Sequence, residues 1–281
     1  MTASPDEIRE QQRASWDRFS VGWERWDAVV QAMLGPVGDA MIAAVAPRDG
    51  GTHLDVAAGT GEPGLTIADR IPNGRVVITD LSPAMLDVAR RRAFARGLGN
   101  VEVRECDACD LPFGDAAFDT VTCRFGFMFF PDLHAAAREL ARVTRPGGRV
   151  CASVWAEPAG NPWVTIMMGA IASEVEVPPP GPDAPGIFRC AEPGTLAGLF
   201  GAAGFRDVEE RDVHGTVDLE SPEQYWQLQT EIAAPVVAAL AGADDATVAR
   251  VHAKVLDAVG AHAGADGLRL PYHARCTVGV R

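Results

Sequence analysis

The chain has 281 residues, 47% hydrophobic and 22% charged, with a formal net charge of −13; it can bury a sizeable core as one large domain or a domain plus a cap. That acidity, with no Lys/Arg block, argues against a nucleic-acid partner, whose phosphates need a basic face. No run approaches the ~20 apolar residues of a membrane span and Met1–Arg13 lacks an apolar signal core, so a cytoplasmic location with reduced cysteines is expected.

The predicted elements begin with a helical segment from Glu7 to Val45, in which Trp16, Phe19, Trp23 and Trp26 recur at roughly helical spacing. Thr52–Ala57 reads as a strand and runs into the glycine loop Gly59-Thr-Gly61-Glu-Pro-Gly64, from which a helix continues to about Arg70. Arg75–Thr79 is a second strand stopping at Asp80, after which Ser82 can cap a helix with Pro83 at its first position. Val101–Glu105 and Phe118–Cys123 are the third and fourth strands. A helix from Leu133 to Thr144 then ends at Arg145-Pro-Gly-Gly148, and Arg149–Trp155 is the fifth strand.

Beyond Trp155 the alternation breaks. A helix-like apolar piece (Trp163–Val177) precedes the Pro178-Pro-Pro180 cluster, which reads as loop. Glu192–Ala203 reads as helix and Phe205–Val213 as a sixth strand; the alanine-rich stretches Pro222–Ala241 and Asp244–Ala263 read as helices, and Leu268–Val280 as a last strand. The fold class is therefore α/β: a doubly wound, mostly parallel, seven-stranded sheet with helical insertions forming a cap. Its expected divisions are an N-terminal lid (1–45), a ligand-binding core (46–156), a first cap insertion (157–190), more core (191–218), a second helical insertion (219–266) and a final core strand (267–281).

Ligands of such sheets bind at the carboxyl ends of the strands. There stand Asp55 with Gly59 and Gly61, then Asp80-Leu81, then Asp107-Ala108, then Arg124-Phe125-Gly126. A carboxylate after the second strand can accept two ribose hydroxyls, and one beside a backbone amide after the third can read adenine. The glycine spacing also fits a pyrophosphate dinucleotide, but anions at Asp55 and Glu62 favour a ligand carrying an ammonium group. Cys106 and Cys109 form a lone Cys-x-x-Cys, half of the four-ligand set that structural zinc takes, so no metal is expected.

Leu54-Asp-Val-Ala-Ala-Gly-Thr-Gly61, Thr79-Asp-Leu-Ser-Pro-Ala-Met85, Cys106-Asp-Ala-Cys-Asp-Leu-Pro-Phe113, Phe118-Asp-Thr-Val121 and Arg142-Val-Thr-Arg-Pro-Gly-Gly-Arg149 together give the chain its resemblance. It resembles the class I S-adenosylmethionine (SAM)-dependent methyltransferases, in the small-molecule branch of ubiquinone/menaquinone-biosynthesis C-methyltransferases and actinobacterial natural-product enzymes. The resemblance covers about residues 45–155 closely and the rest loosely. It implies SAM as cofactor, S-adenosylhomocysteine as product and a small organic acceptor. Asp55 would act near the methionine amino group, with Ala57, Gly59 and Gly61 passing close to the ligand; Asp80 would hold the ribose hydroxyls. Leu81 and Met85 would pack on adenine, Asp107 and Ala108 would read it, and Arg124 and Phe125 would line the methionine side. Phe19 and Trp23 would belong to a lid over SAM. Where nucleobase N-methyltransferases of this class carry an Asn-Pro-Pro-Tyr-type tetrad, this chain has Cys123-Arg-Phe-Gly126.

In-line methyl transfer asks mainly for alignment and exclusion of water. Phe125, Met128, Trp155 and Tyr225 are the expected acceptor-side residues, whereas Phe127, Phe129 and Phe130 read as packing. His134, His214 and Tyr225 are the candidate general bases for a hydroxyl or acidic carbon. Two alternatives stay open: a SAM-binding cyclase or isomerase without methyl transfer, and an NAD(P)-dependent oxidoreductase. A homodimer is also left open.

Overall fold

The structure is a computed structural model that describes residues 4–176, 181 and 184–281. Within it, the strands are β1 (Thr52–Val56), β2 (Arg75–Asp80), β3 (Val101–Glu105), β4 (Phe118–Arg124), β5 (Thr144–Trp155), β6 (Arg206–Leu219), the two-residue β7 (Ala263–Gly264) and β8 (Gly267–Val280). The sheet order is β3-β2-β1-β4-β5-β8-β6, with β7 paired to β8 alone. β1 to β5 pair in parallel and β8 runs antiparallel between β5 and β6. The reversal of sheet order falls between β1 and β4, the place where doubly wound sheets open a crevice.

Helices cover both faces. Val76 and Ile78 of β2 pack with residues of α3 (Gly64–Arg70) and α4 (Pro83–Ala95), while Val77 between them belongs to the other, larger core cluster; alternation along the strand sends neighbours to opposite faces. α4 starts as its sequence requires, with the Ser82 hydroxyl accepting from Met85 N at 3.1 Å and Pro83 at the first turn. α5 (Leu133–Val143) is capped in the same way by Asp132.

The helical lead-in consists of α1 (Pro5–Arg25) and α2 (Asp27–Val45). α2 corrects the reading that no membrane-length run exists: by length and composition it is apolar enough to cross a bilayer, its charges being confined to Asp27 and Asp39. Here it packs on the sheet, burying Val30, Met33, Val37, Met41 and Val45.

α6 (Pro162–Ala172) falls in the expected first cap insertion, and α8 (Pro222–Ile232), α9 (Ala234–Leu240) and α10 (Asp245–Gly260) in the expected second. The expected single helix over 222–241 breaks at Ala233, where the backbone is extended and α9 begins with Pro235 in its first turn. The expected helix over 192–203 is the shorter α7 (Thr195–Ala202). The Pro178–Pro180 cluster lies outside the described residues.

Two differences bear on function. The Arg145-Pro-Gly-Gly148 stretch follows α5, as expected, but is not a separate turn ahead of the fifth strand. It lies within β5 as a bulge at the strand's beginning, where the register to β4 jumps from Phe118↔Thr144 to Thr120↔Arg149. The sixth strand runs on from Val213 to Leu219, because its pairing with β8 continues through Leu219↔Leu268.

Candidate active site

At the carboxyl end of β1 the backbone turns through positive φ at Ala57 (52°), Gly59 (56°) and Gly61 (106°). Only glycine takes the conformation at Gly61 without strain, and a Cβ there would also lie 2.8 Å from Leu65 Cδ1. The turn exposes backbone at the mouth of a cavity of about 470 Å3, within the ~300–1,000 Å3 of small-molecule sites.

One end of this cavity is polar. Asp80 accepts from Gly59 N (2.8 Å) with one oxygen and from Ser82 N (2.9 Å) with the other. Burial raises its carboxyl above the usual range, and those backbone donors pull it back. Each oxygen keeps a lone pair for a ligand hydroxyl. Asp107, after β3, accepts from Cys109 N (2.9 Å) and from Arg9 Nε of α1 (2.6 Å). α1 is fastened a second time where Asp17 accepts from Ser82 Oγ (2.6 Å) and Ala84 N (3.2 Å). Glu62 also lines the cavity, held by Arg96 Nη1 at 2.8 Å and Thr66 N at 3.1 Å.

The other end is aromatic. Phe125, itself at φ 57° after β4, stacks on Trp155 with ring centroids 4.1 Å apart, and Trp155 packs on Trp163 of α6 at 4.8 Å. Strained φ values at Ala57 and Phe125, about 1–3 kcal/mol each, are held by Ala58 N bonding Thr79 O and Phe125 N bonding Ser153 O. Trp16 and Trp23 come from α1, Phe129 and Phe130 from the turn after β4, and Ile187, Ile232 and Pro235 from the cap.

Of the residues expected at the site, Ala57, Gly59, Asp80, Leu81, Met85, Asp107, Ala108, Arg124, Phe125, Trp23 and Trp155 line this cavity. Seven do not. Asp55 is fully buried beneath the loop, accepting from Gly64 N and Thr122 Oγ1 at 2.7 Å each, so it ties α3 to β4. Gly61 turns away toward Leu65, Phe19 is buried on α1, and Met128 is fully buried. Tyr225 donates to the Trp163 carbonyl (2.8 Å), and burial raises its phenol pKa; it braces α8 against α6, away from the cavity lining. His134 is exposed at the start of α5, and His214 is exposed on β6, stacked on His273 at 4.2 Å. Conversely, Phe129 and Phe130, read as packing, are wall residues. Arg9, Trp16 and Glu62 also join the lining. Trp16 stands in the same helical aromatic series as Trp23, a signal already present in the sequence.

A doubly wound sheet with a glycine turn, a buried carboxylate ending β2 and a half-buried one after β3 defines a nucleoside-binding enzyme site. A methyltransferase-domain family model matches residues 54–148. The chain is 32% identical over 207 residues to nocamycin O-methyltransferase of Saccharothrix syringae, covering 70% of this chain and 73% of that protein. It is 52% identical over 97 residues to demethylmenaquinone methyltransferase of Thermus thermophilus, a match spanning 34% of this chain and 44% of that relative's length. The solved structure of the [4+2]-cyclase SpnF is similar at 25% identity and a TM-score of 0.55, covering 87% of this chain and 79% of that one. The chain belongs to the class I SAM-dependent methyltransferases.

Proposed function

We propose that this protein methylates a small, largely apolar organic acceptor of quinone or natural-product biosynthesis. The observation that carries this reading is the single cavity that joins the Asp80–Asp107 end to the Phe125–Trp155–Trp163 end without interruption. At the first end Asp80 would hold the ribose hydroxyls, Leu81 and Met85 would pack on adenine, and Asp107 with the Ala108 backbone would read its edge. When bound, SAM supplies an electrophilic methyl group. At the second end the stacked rings would orient a flat acceptor and exclude water, which contributes up to ~7–11 kcal/mol in ideal intramolecular alignment. Aromatic faces also stabilise cationic charge near the methyl donor. Of the lining residues, the carboxylates Glu62, Asp80 and Asp107 and the thiol Cys106 would stand toward the cofactor end, and burial pushes the Cys106 thiol up to about 11. An acceptor already acidic near neutral pH, such as an enol or a polyhydroxylated ring, suits this arrangement. A cytoplasmic location goes with it, the six cysteines being free thiols.

The test is incubation with SAM and a panel of quinol, phenol and enol acceptors, following S-adenosylhomocysteine and methylated product by mass spectrometry. Coupled appearance of both supports the reading. SAM binding with rearranged but unmethylated acceptor would favour the cyclase reading, for which the likeness to SpnF is the supporting observation. Nicotinamide-dependent turnover without SAM binding would refute both.

A further inference from the structure

Asn161, directly before α6, is a residue type that ordinarily caps a helix by accepting from the backbone N–H of its second or third residue. Its side chain makes no such bond; Val164 N and Thr165 N donate instead to its main-chain carbonyl, at 3.1 Å each. The amide is turned the other way and fully used. Nδ2 donates among the carbonyls of Ala156 (3.1 Å), Glu157 (3.2 Å) and His273 (3.0 Å), and Oδ1 accepts from His273 N and from the Trp163 indole Nε1, both at 3.1 Å. Three carbonyls on one side and two N–H groups on the other fix the orientation of the amide. Asn161 is fully buried and lies outside the cavity lining, whereas Trp163 is part of it. The main chain of Trp163 is held as firmly, its carbonyl accepting from the Tyr225 hydroxyl and Gln229 Nε2 at 2.8 Å each. Trp163 packs on Trp155 and Trp155 stacks on Phe125, so the setting of one indole passes along three rings to the residue that follows β4.

We propose that Asn161 is a positioning residue for methyl transfer: through the Trp163 indole it holds the aromatic wall against which the acceptor aligns. This rests on the acceptor reading above. A wall freed from Asn161 leaves the cofactor end untouched but lets the acceptor drift from the line of transfer, where a displacement of about 1 Å costs up to about 100-fold in rate. The test compares wild type, Asn161→Ala, Trp163→Phe and the double variant. It follows kcat/KM for an acceptor that wild type methylates in the panel above, the calorimetric Kd of S-adenosylhomocysteine, and the near-ultraviolet circular dichroism of the packed indoles without ligand. Asn161→Ala loses about 10- to 100-fold in kcat/KM, while its Kd for S-adenosylhomocysteine stays within about twofold of wild type. Adding Asn161→Ala to Trp163→Phe costs less than about twofold more, because phenylalanine offers no N–H for Asn161 to hold. A merely structural Asn161 would lower Tm with kcat/KM unchanged, or lose kcat/KM equally in both backgrounds; either result overturns the assignment. If Asn161→Ala does not fold, Trp163→Phe decides, since it leaves the main-chain partners of Asn161 in place: a loss of about 10-fold supports the assignment and an unchanged kcat/KM overturns it. Wild type that binds S-adenosylhomocysteine but methylates no acceptor sinks the proposed function instead. The dichroism then still decides, and a spectrum of Asn161→Ala equal to that of wild type overturns the positioning of the ring.

Discussion

Replacing Asp55 with Asn interrogates a buried chain of hydrogen bonds beneath the glycine loop. His53 Nδ1 lies 2.8 Å from Thr120 Oγ1 and its Nε2 lies 3.0 Å from Thr122 Oγ1, whose hydroxyl donates to Asp55 Oδ1. Burial pushes the Asp55 carboxyl up to about 7 from 3.8, against the hydrogen bonds from Thr122 and Gly64, and pushes the His53 imidazole down to about 3 from 6.5. Asp55, raised when folded, contributes stability that is present below pH 3.8 and lost as pH rises through about 7. His53, depressed when folded, contributes stability that is present above pH 6.5 and lost as pH falls through about 3. Between about pH 4 and 6.5 the two slopes, each about 1.4 kcal/mol per pH unit, oppose one another, and the pair leaves wild type nearly flat. In Asp55→Asn only the His53 slope survives, a loss of about 3 kcal/mol on going from about pH 6.5 to 4. Relative to wild type the variant gains about 4 kcal/mol between about pH 4 and 8. Urea unfolding of both proteins across this range measures the difference, in which groups distant from Asp55 cancel. A difference that stays constant with pH refutes the reasoning.

Asp80→Ala should weaken SAM binding by about 1–3 kcal/mol through lost charge-assisted bonds, with Asp80→Asn between; unchanged calorimetric affinity removes Asp80 from the cofactor site. Trp155→Ala, which unstacks Phe125, should raise KM for the acceptor while SAM affinity holds, and cost about 3–5 kcal/mol of stability. A rise in the cofactor Kd alone would place Trp155 at the wrong end. On α1, a Cβ at Gly22 would lie 2.2 Å from the Glu231 carbonyl of α8. Gly22→Ala should therefore prise α1 from the cap and speed its limited proteolysis; an unchanged cleavage rate argues against that docking.

Much of the site was legible because it hangs on strand ends. Asp80, Asp107 and Arg124 sit where an apolar run stops, and period-two alternation locates such stops. Ser82-Pro83 announced α4 by cap chemistry alone. What failed was side-chain direction. Asp55 shares its strand with buried residues on both sides, and nothing local says that its carboxylate turns to Gly64 N rather than to the cavity. The short 3-10 turn Phe127–Phe129 rotates successive residues in a way neither helical nor strand periodicity describes, so Met128 went inside and Phe129 to the wall. His214 reads as a strand-end residue because the local sequence pattern of β6 ends at Val213. Its continuation depends on pairing with β8, some 50 residues away, which is tertiary information.

The cavity's two ends draw on different parts of the chain. The residues proposed to hold the cofactor lie between 54 and 148, the span that matches the methyltransferase domain. The aromatic and cap walls instead come mostly from outside it, from α1, α2, α6, the 185–187 stretch and the α8–α9 junction, with the Phe125–Pro131 turn as the shared hinge of the two sets. Such a division lets acceptor preference drift by exchange of peripheral helices while the donor-binding apparatus is inherited intact. Grafting the cap helices of one relative onto the core of another is the engineering route this architecture opens.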